Sequence, residues 1–206
     1  PNLSFPTILP GQAGSPFNVP VRWYGRPIGA EASSPLAPRK SDTLRTALEV
    51  DGRLTETWSW KAGSAYSRNS REAYQPDTVK SRLNAALAGS GGLNAQETFN
   101  PFDPEGNSPE LIDWMSYQTY TNKKTDLTVI DFVFSGDMGE THAGAIGFAV
   151  GGQWRKEGFS VNRNELYTQE VDPDTGATVP VDLIFLGGGL PVNRSKDSFA
   201  LFAEAN

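Results

Sequence analysis

The chain has 206 residues, 37% of them hydrophobic and 20% charged, with a formal net charge of -6 and no cysteine. These values exclude a disulfide framework and a thiolate metal centre. Without clustered Lys and Arg they also exclude a broad nucleic-acid footprint.

No stretch approaches the roughly 18 consecutive apolar residues of a membrane helix, the most continuous candidate, Ala145 to Val150, being short and containing Gly147. A β-barrel stays open, because its strands need only about ten residues of alternating polarity. The opening Pro1-Asn2-Leu3-Ser4 has no basic-then-apolar leader, so any targeting signal is expected to have been removed or to lie upstream.

In chain order, residues 1–41 are rich in Pro and Gly and predict a loop descending into a strand near Thr43. Residues 42–69 predict a hairpin. Leu44, Leu48 and Val50 alternate with Arg45, Ala47 and Glu49 before a turn at Asp51-Gly52-Arg53. Trp58, Trp60, Ala62 and Tyr66 then share a side opposite Ser59, Lys61, Gly63 and Ser67. Residues 70–119 predict a long loop with two short helices, one over 78–88, where Val79, Leu83, Ala86 and Leu87 fall at helical spacing, and one over 109–117.

Residues 120–160 predict a second hairpin turning at Gly139-Glu140-Thr141. Thr128, Ile130, Phe132, Phe134 and Met138 line one side of its first strand, and Ile146, Phe148, Val150 and Trp154 one side of its second. The opposite side of the second strand is small or polar, from Ala143, Ala145, Gly147 and Ala149 to Gln153, Arg155 and Glu157. A soluble sandwich usually decorates its outer face with Lys, Glu and Thr, whereas a crowded lumen accounts for Ala and Gly. Residues 161–195 predict a loop holding an extended hairpin, Leu166 to Val171 and Ala177 to Asp182 around Asp172-Pro173-Asp174-Thr175-Gly176, and residues 196–206 a last strand.

Short turns alternating with long connections is the arrangement of an outer-membrane barrel. Trp58 and Tyr66 lie eight residues apart on one side, about 19 Å along a membrane normal at 3.3 Å per residue and a tilt near 45°, close to the spacing of two aromatic girdles. The lipid-facing set is therefore Trp58, Trp60, Tyr66, Ile130, Phe132, Phe134, Ile146, Phe148, Val150 and Trp154. The fold class is all-β, antiparallel strands with long loops and short loop helices, a fragment of a large transmembrane β-barrel. Six to eight strands are too few to close around an aqueous lumen.

The chain resembles the barrel of a TonB-dependent outer-membrane receptor. The resemblance rests on Arg22-Trp23-Tyr24-Gly25-Arg26-Pro27, Trp58-Ser59-Trp60, Asn100-Pro101-Phe102, the run from Ala149 to Glu157, and Phe202-Ala203-Glu204-Ala205. It implies the middle of a 22-stranded barrel closed by an N-terminal plug, importing an iron chelate, cobalamin or a saccharide with energy from the inner membrane. Its partners would be outer-membrane lipid, the plug and remaining strands, the TonB energy-coupling system and a small-molecule or saccharide ligand. Neither plug nor energy-coupling box is present in these residues, and no cofactor, metal or enzymatic activity is implied.

Candidate ligand-binding residues come from two places. The stretch from Leu83 to Asn122 has no Lys or Arg and sets Asp103, Glu105, Glu110 and Asp113 beside Trp114 and Tyr117, a mixture suited to sugars or a cation. Arg155 and Glu157, on the lumen side of their strand, could hydrogen-bond a substrate or neighbouring strands. His142, the only histidine, has no partner suggesting a catalytic triad, Gly187-Gly188-Gly189 lacks a phosphate-loop context, and Asp172, Asp174 and Asp182 miss the spacing of a calcium loop. The competing readings are a secreted soluble β-sandwich binding carbohydrate through Trp58, Trp60 and Trp154, and a hydrolase using carboxylates among Asp103, Glu105 and Glu110.

Overall fold

The computed structural model describes residues 5–25, 36–142 and 144–206. Short strands β1 (Thr7–Ile8) and β2 (Val21–Arg22) pair with each other. Five long strands, β3 (Arg39–Arg53), β4 (Trp58–Thr78), β5 (Ser116–Thr141), β6 (Gly144–Arg163) and β7 (Val192–Ala205), form one antiparallel sheet in sequence order. The sheet is open, with β3 and β7 at its edges. The all-β expectation thus stands at the level of an antiparallel sheet.

The strands run further than the alternation predicts. β4 continues to Thr78 and β5 already begins at Ser116. There Tyr74 packs on Tyr120 with ring centroids 4.9 Å apart, and the Thr119 hydroxyl donates to the Gln75 carbonyl at 2.8 Å. Cross-strand contacts of this kind hold a ladder together without alternating polarity.

The first turn is displaced. Asp51-Gly52-Arg53 remains in β3 and the chain reverses over residues 54–57, where the Thr55 hydroxyl accepts the amide N–H of Thr57 and of Trp58. Gly52 serves packing instead: a Cβ there would lie 2.8 Å from the Trp60 indole nitrogen, so the glycine lets the ring lie across the neighbouring strand. The second turn also shifts, β5 ending at Thr141 and β6 starting at Gly144. Gly139, expected in the turn, lies inside β5 at a φ of +134°. Ala143, Arg26 and Pro27 lie outside the described residues.

The chain divides into two compact units. One, Lys40–Glu72, Asn122–Val161 and Val192–Asn206, is built from the long strands. The other, Pro1–Arg39, Ala73–Thr121 and Asn162–Pro191, contains the connections and holds the buried core.

In that second unit helix α1 (Lys80–Leu87) buries Leu83, Ala86 and Leu87, and helix α2 (Pro109–Met115) buries Leu111 and Met115, against Ile8, Phe99 and Ile184. α2 starts where the sequence dictates: Pro109 suits the first helical position, and the Ser108 hydroxyl accepts the Leu111 N–H at 3.0 Å. The expected hairpin around Asp172 is reduced to its turn. Gly176, at a φ of +68°, donates to the Asp172 carbonyl, and one bridge joins Val171 to Thr178 without strands. The first arm loses Leu166 and Tyr167 to the 3-10 helix Glu165–Tyr167, and in the second Pro180 removes a ladder donor.

Candidate functional site

Successive strand residues point to opposite faces, and cross-strand contacts fix which faces coincide. Trp58 stacks on Phe134 with centroids 4.7 Å apart and approaches Phe148 at 6.5 Å. Trp60 lies over Gly52, and Tyr66 and Arg68 reach Asp126. One face therefore carries Leu44, Leu48 and Val50 of β3, Trp58, Trp60 and Tyr66 of β4, Ile130, Phe132 and Phe134 of β5, and Ile146, Phe148, Val150 and Trp154 of β6. Because Leu201 pairs with Gly152 and Phe199 with Trp154, these two residues of β7 join it.

All ten residues expected to face lipid thus share one face. That face is uncovered in this unit: Phe132 is 47% exposed, Ile130 48%, Phe199 80% and Leu201 90%. An open, almost wholly apolar groove of about 460 Å³ runs along Ile130, Phe132, Val150, Trp154, Phe199 and Leu201.

The apolar stretch has a polar border. Two residues past Tyr66, Arg68 donates through Nε to Asp126 Oδ1 at 2.7 Å, and the Tyr66 hydroxyl donates to the same oxygen at 3.0 Å. On β3 the border is the Lys40–Asp42 pair at 3.3 Å, and on β6 and β7 it is Lys156 beside Asp197. From Ile146 to Trp154 the band measures about 19 Å for strands tilted near 45°.

The opposite face carries Ser59, Lys61, Gly63, Asp131, Ser135, Gln153, Arg155 and Glu157. Ser59 and Ser135 hydroxyls meet at 3.2 Å, Lys61 pairs with Glu49 at 2.9 Å, and Asp131 lies over Gly63. Arg155 and Glu157 pair with each other along β6 at 2.6 Å. Gly151 accommodates the Phe202 ring of its directly paired neighbour, 2.5 Å from where a Cβ would be. Gly63 and Gly151 thus make room for side chains from the next strand.

The loop candidates are placed differently. Glu105 lies in a single 3-10 turn, Pro104–Gly106, with Asp103 just before it, Glu110 and Asp113 lie on α2, and the carboxylates of all four are exposed with no hydrogen bond or ion pair among the described residues. Trp114 is half-buried and already has a cation, the Arg82 guanidinium, 5.6 Å from its ring centre and bonded through Nη1 to the Trp114 carbonyl at 2.7 Å. Tyr117 is half-buried at the start of β5. No convergent polar pocket forms from these six. Among the described residues no three His, Cys, Asp or Glu side chains cluster as a metal site.

A clasp went unread in the sequence. The Asp77 carboxylate accepts the amide N–H groups of Thr78, Phe185 and Leu186, while Asp182 accepts the Ser81 amide and hydroxyl at the start of α1. The two carboxylates, 105 residues apart in sequence, tie the second connection to the first. At the Asp172 turn the carboxylate accepts the N–H groups of Thr175 and Asp174, which hold its pKa below the usual carboxylate range. No family model, curated protein or solved structure matches the chain.

Proposed function

We propose that this chain is part of the wall of a larger transmembrane β-barrel in a bacterial outer membrane, of the TonB-dependent receptor kind, and that it serves nutrient import. The apolar face meets lipid, the polar face lines the lumen, and the long connections contribute to ligand capture. One observation carries the reading: a continuous exposed apolar band across five paired strands, ending in charged and tyrosine side chains on the same face. Water would drive such a surface to be covered, whereas a bilayer tolerates it at a height of about 25 Å with aromatic and polar girdles.

The strand lengths favour a barrel over a secreted sandwich, since β4, β5 and β6 have 21, 26 and 20 residues against a usual five or six. Three of the segments that carry the resemblance fall on the long strands. Trp58-Ser59-Trp60 opens β4, the run from Ala149 to Glu157 lies within β6, and Phe202 to Ala205 closes β7. The two open edges agree with further strands in the parent protein.

Brominated-lipid quenching of the reconstituted parent barrel tests the reading. Phe substitution at Trp58, Trp60 and Trp154 should remove a large share of the quenchable emission. If those three tryptophans contribute none of it, the lipid-facing assignment fails.

A further inference from the structure

The polar face is divided by charge. Towards the short turns it carries Glu49, Asp51, Asp131, Asp137 and Glu204 against Lys61 and Arg53. Towards the long connections it carries Arg45, Arg71, Lys123, Arg155, Arg194 and Lys196 against Glu157 alone. The assignment follows from register: Thr43 meets Asn69, Glu157 pairs with Lys196, Phe159 with Arg194, and Ala149 with Glu204. Arg155 is taken by Glu157, but Arg45, Arg71, Lys123, Arg194 and Lys196 are exposed and make no ion pair among the described residues.

The border of the apolar face at the same end is balanced, with Lys40, Arg68, Lys124 and Lys156 against Asp42, Glu72, Asp126 and Asp197. The excess is thus confined to one face of the sheet. It also opposes the overall charge of -6, so average composition does not account for it. A surface region of one sign raises the local concentration of counter-ions.

We propose that the connection-side half of the polar face attracts a solute with several negative charges, a polycarboxylate or polyphosphate, and that the acidic half beyond it opposes the solute's passage until it is driven. This rests on the polar face lining a lumen. The acidic connection around Asp103 to Asp113 carries the opposite sign, so the basic half-face is not an extension of loop charge.

The chain has no cysteine, so within it each label sits at one chosen position, in a full-length parent barrel from which any cysteine elsewhere has been removed. A fluorophore on Ser67→Cys reports the basic half, one on Ser59→Cys the acidic half, and one on Phe132→Cys the apolar face. Iodide should quench the Ser67 label more efficiently than caesium by roughly threefold or more, a modest effect for a local potential, and the order should reverse at Ser59. The preference should collapse near 1 M salt, where the Debye length is about 3 Å, and in the R45Q/R71Q/K123Q variant. Citrate and inorganic tripolyphosphate should each protect the Ser67 label from iodide, the stronger protector naming the anion class.

Equal quenching by both ions at Ser67, with the Phe132 label shielded from both, overturns the charge inference while leaving the barrel wall standing. A Phe132 label open to both ions overturns the wall, and the inference with it.

Discussion

Replacing Phe132 by Arg tests the central reading most directly. Phe132 occupies the middle of β5's apolar stretch, four residues from Thr128 on one side and from Gly136 on the other. Four residues at 3.3 Å and a tilt near 45° make about 9 Å along the membrane normal, which puts Phe132 near the midplane and Thr128 close to the polar border. The border position is independently marked by Asp126, bonded to Arg68 and Tyr66.

Arg on the lipid face of a barrel costs about 2–4 kcal/mol at the midplane and about 0–1 kcal/mol near the interface. The expected profile for Thr128→Arg, Ile130→Arg and Phe132→Arg in the parent barrel is therefore a rise from near zero to about 3 kcal/mol. Gln153→Arg, on the polar face, should stay within about 0.5 kcal/mol. Reversible denaturant unfolding in lipid vesicles measures all four. The profile should steepen towards the bilayer centre and broaden in thicker bilayers. A flat profile, or a Phe132→Arg cost no larger than that of Gln153→Arg, would refute the lipid-facing assignment.

Gly151→Val should destabilise the sheet by about 1–3 kcal/mol, because the Phe202 ring occupies the space a Cβ needs, while Gly147→Ala, with nothing within 4 Å, should change stability little; unfolding of the two variants in parallel separates packing from backbone effects. The Asp172 turn should weaken in acid. The carboxylate's pKa is lowered in the folded chain by the Thr175 and Asp174 N–H groups, so its contribution is complete above the unfolded-state pKa and is lost as pH falls through the folded one. Protection factors at the Asp174 and Thr175 amides, taken relative to the intrinsic exchange rate at each pH, should fall over that window, and protection independent of pH would contradict the assignment.

Alternation made the strands and their faces legible, because a sheet with one apolar and one polar side writes its period directly into the sequence. The two helices were legible as short helices over 78–88, from Leu83, Ala86 and Leu87 at helical spacing, and over 109–117, whereas the Ser108 cap of the second emerged only with the structure. The first turn was misread because glycine has two uses. Gly52 lies beneath Trp60 on the neighbouring strand, as Gly136 lies beneath Trp58, and only the paired structure distinguishes that from a turn. Strand ends at 70–78 and 116–119 were hidden because their pairing rests on Tyr74–Tyr120 and Thr119–Gln75 contacts, which leave no periodic trace. The Asp77 and Asp182 clasp joins segments about a hundred residues apart through backbone amides, which carry no side-chain signature at the partner positions.

The distribution of buried surface bears on why such a chain has two units. In a water-soluble sheet protein the apolar face of the sheet is the core, and connections are its solvated periphery. In this chain the fully buried hydrophobic cluster, Ile8, Leu83, Leu111 and Met115 among it, belongs to the connections, while Leu48, Phe132, Phe199 and Leu201 of the sheet stay uncovered. A sheet whose apolar face is solvated by acyl chains contributes no water-driven burial to its connections, so segments of this length must supply their own core, caps and clasps. Ser108 at the head of α2 and the paired carboxylates Asp77 and Asp182 meet that need.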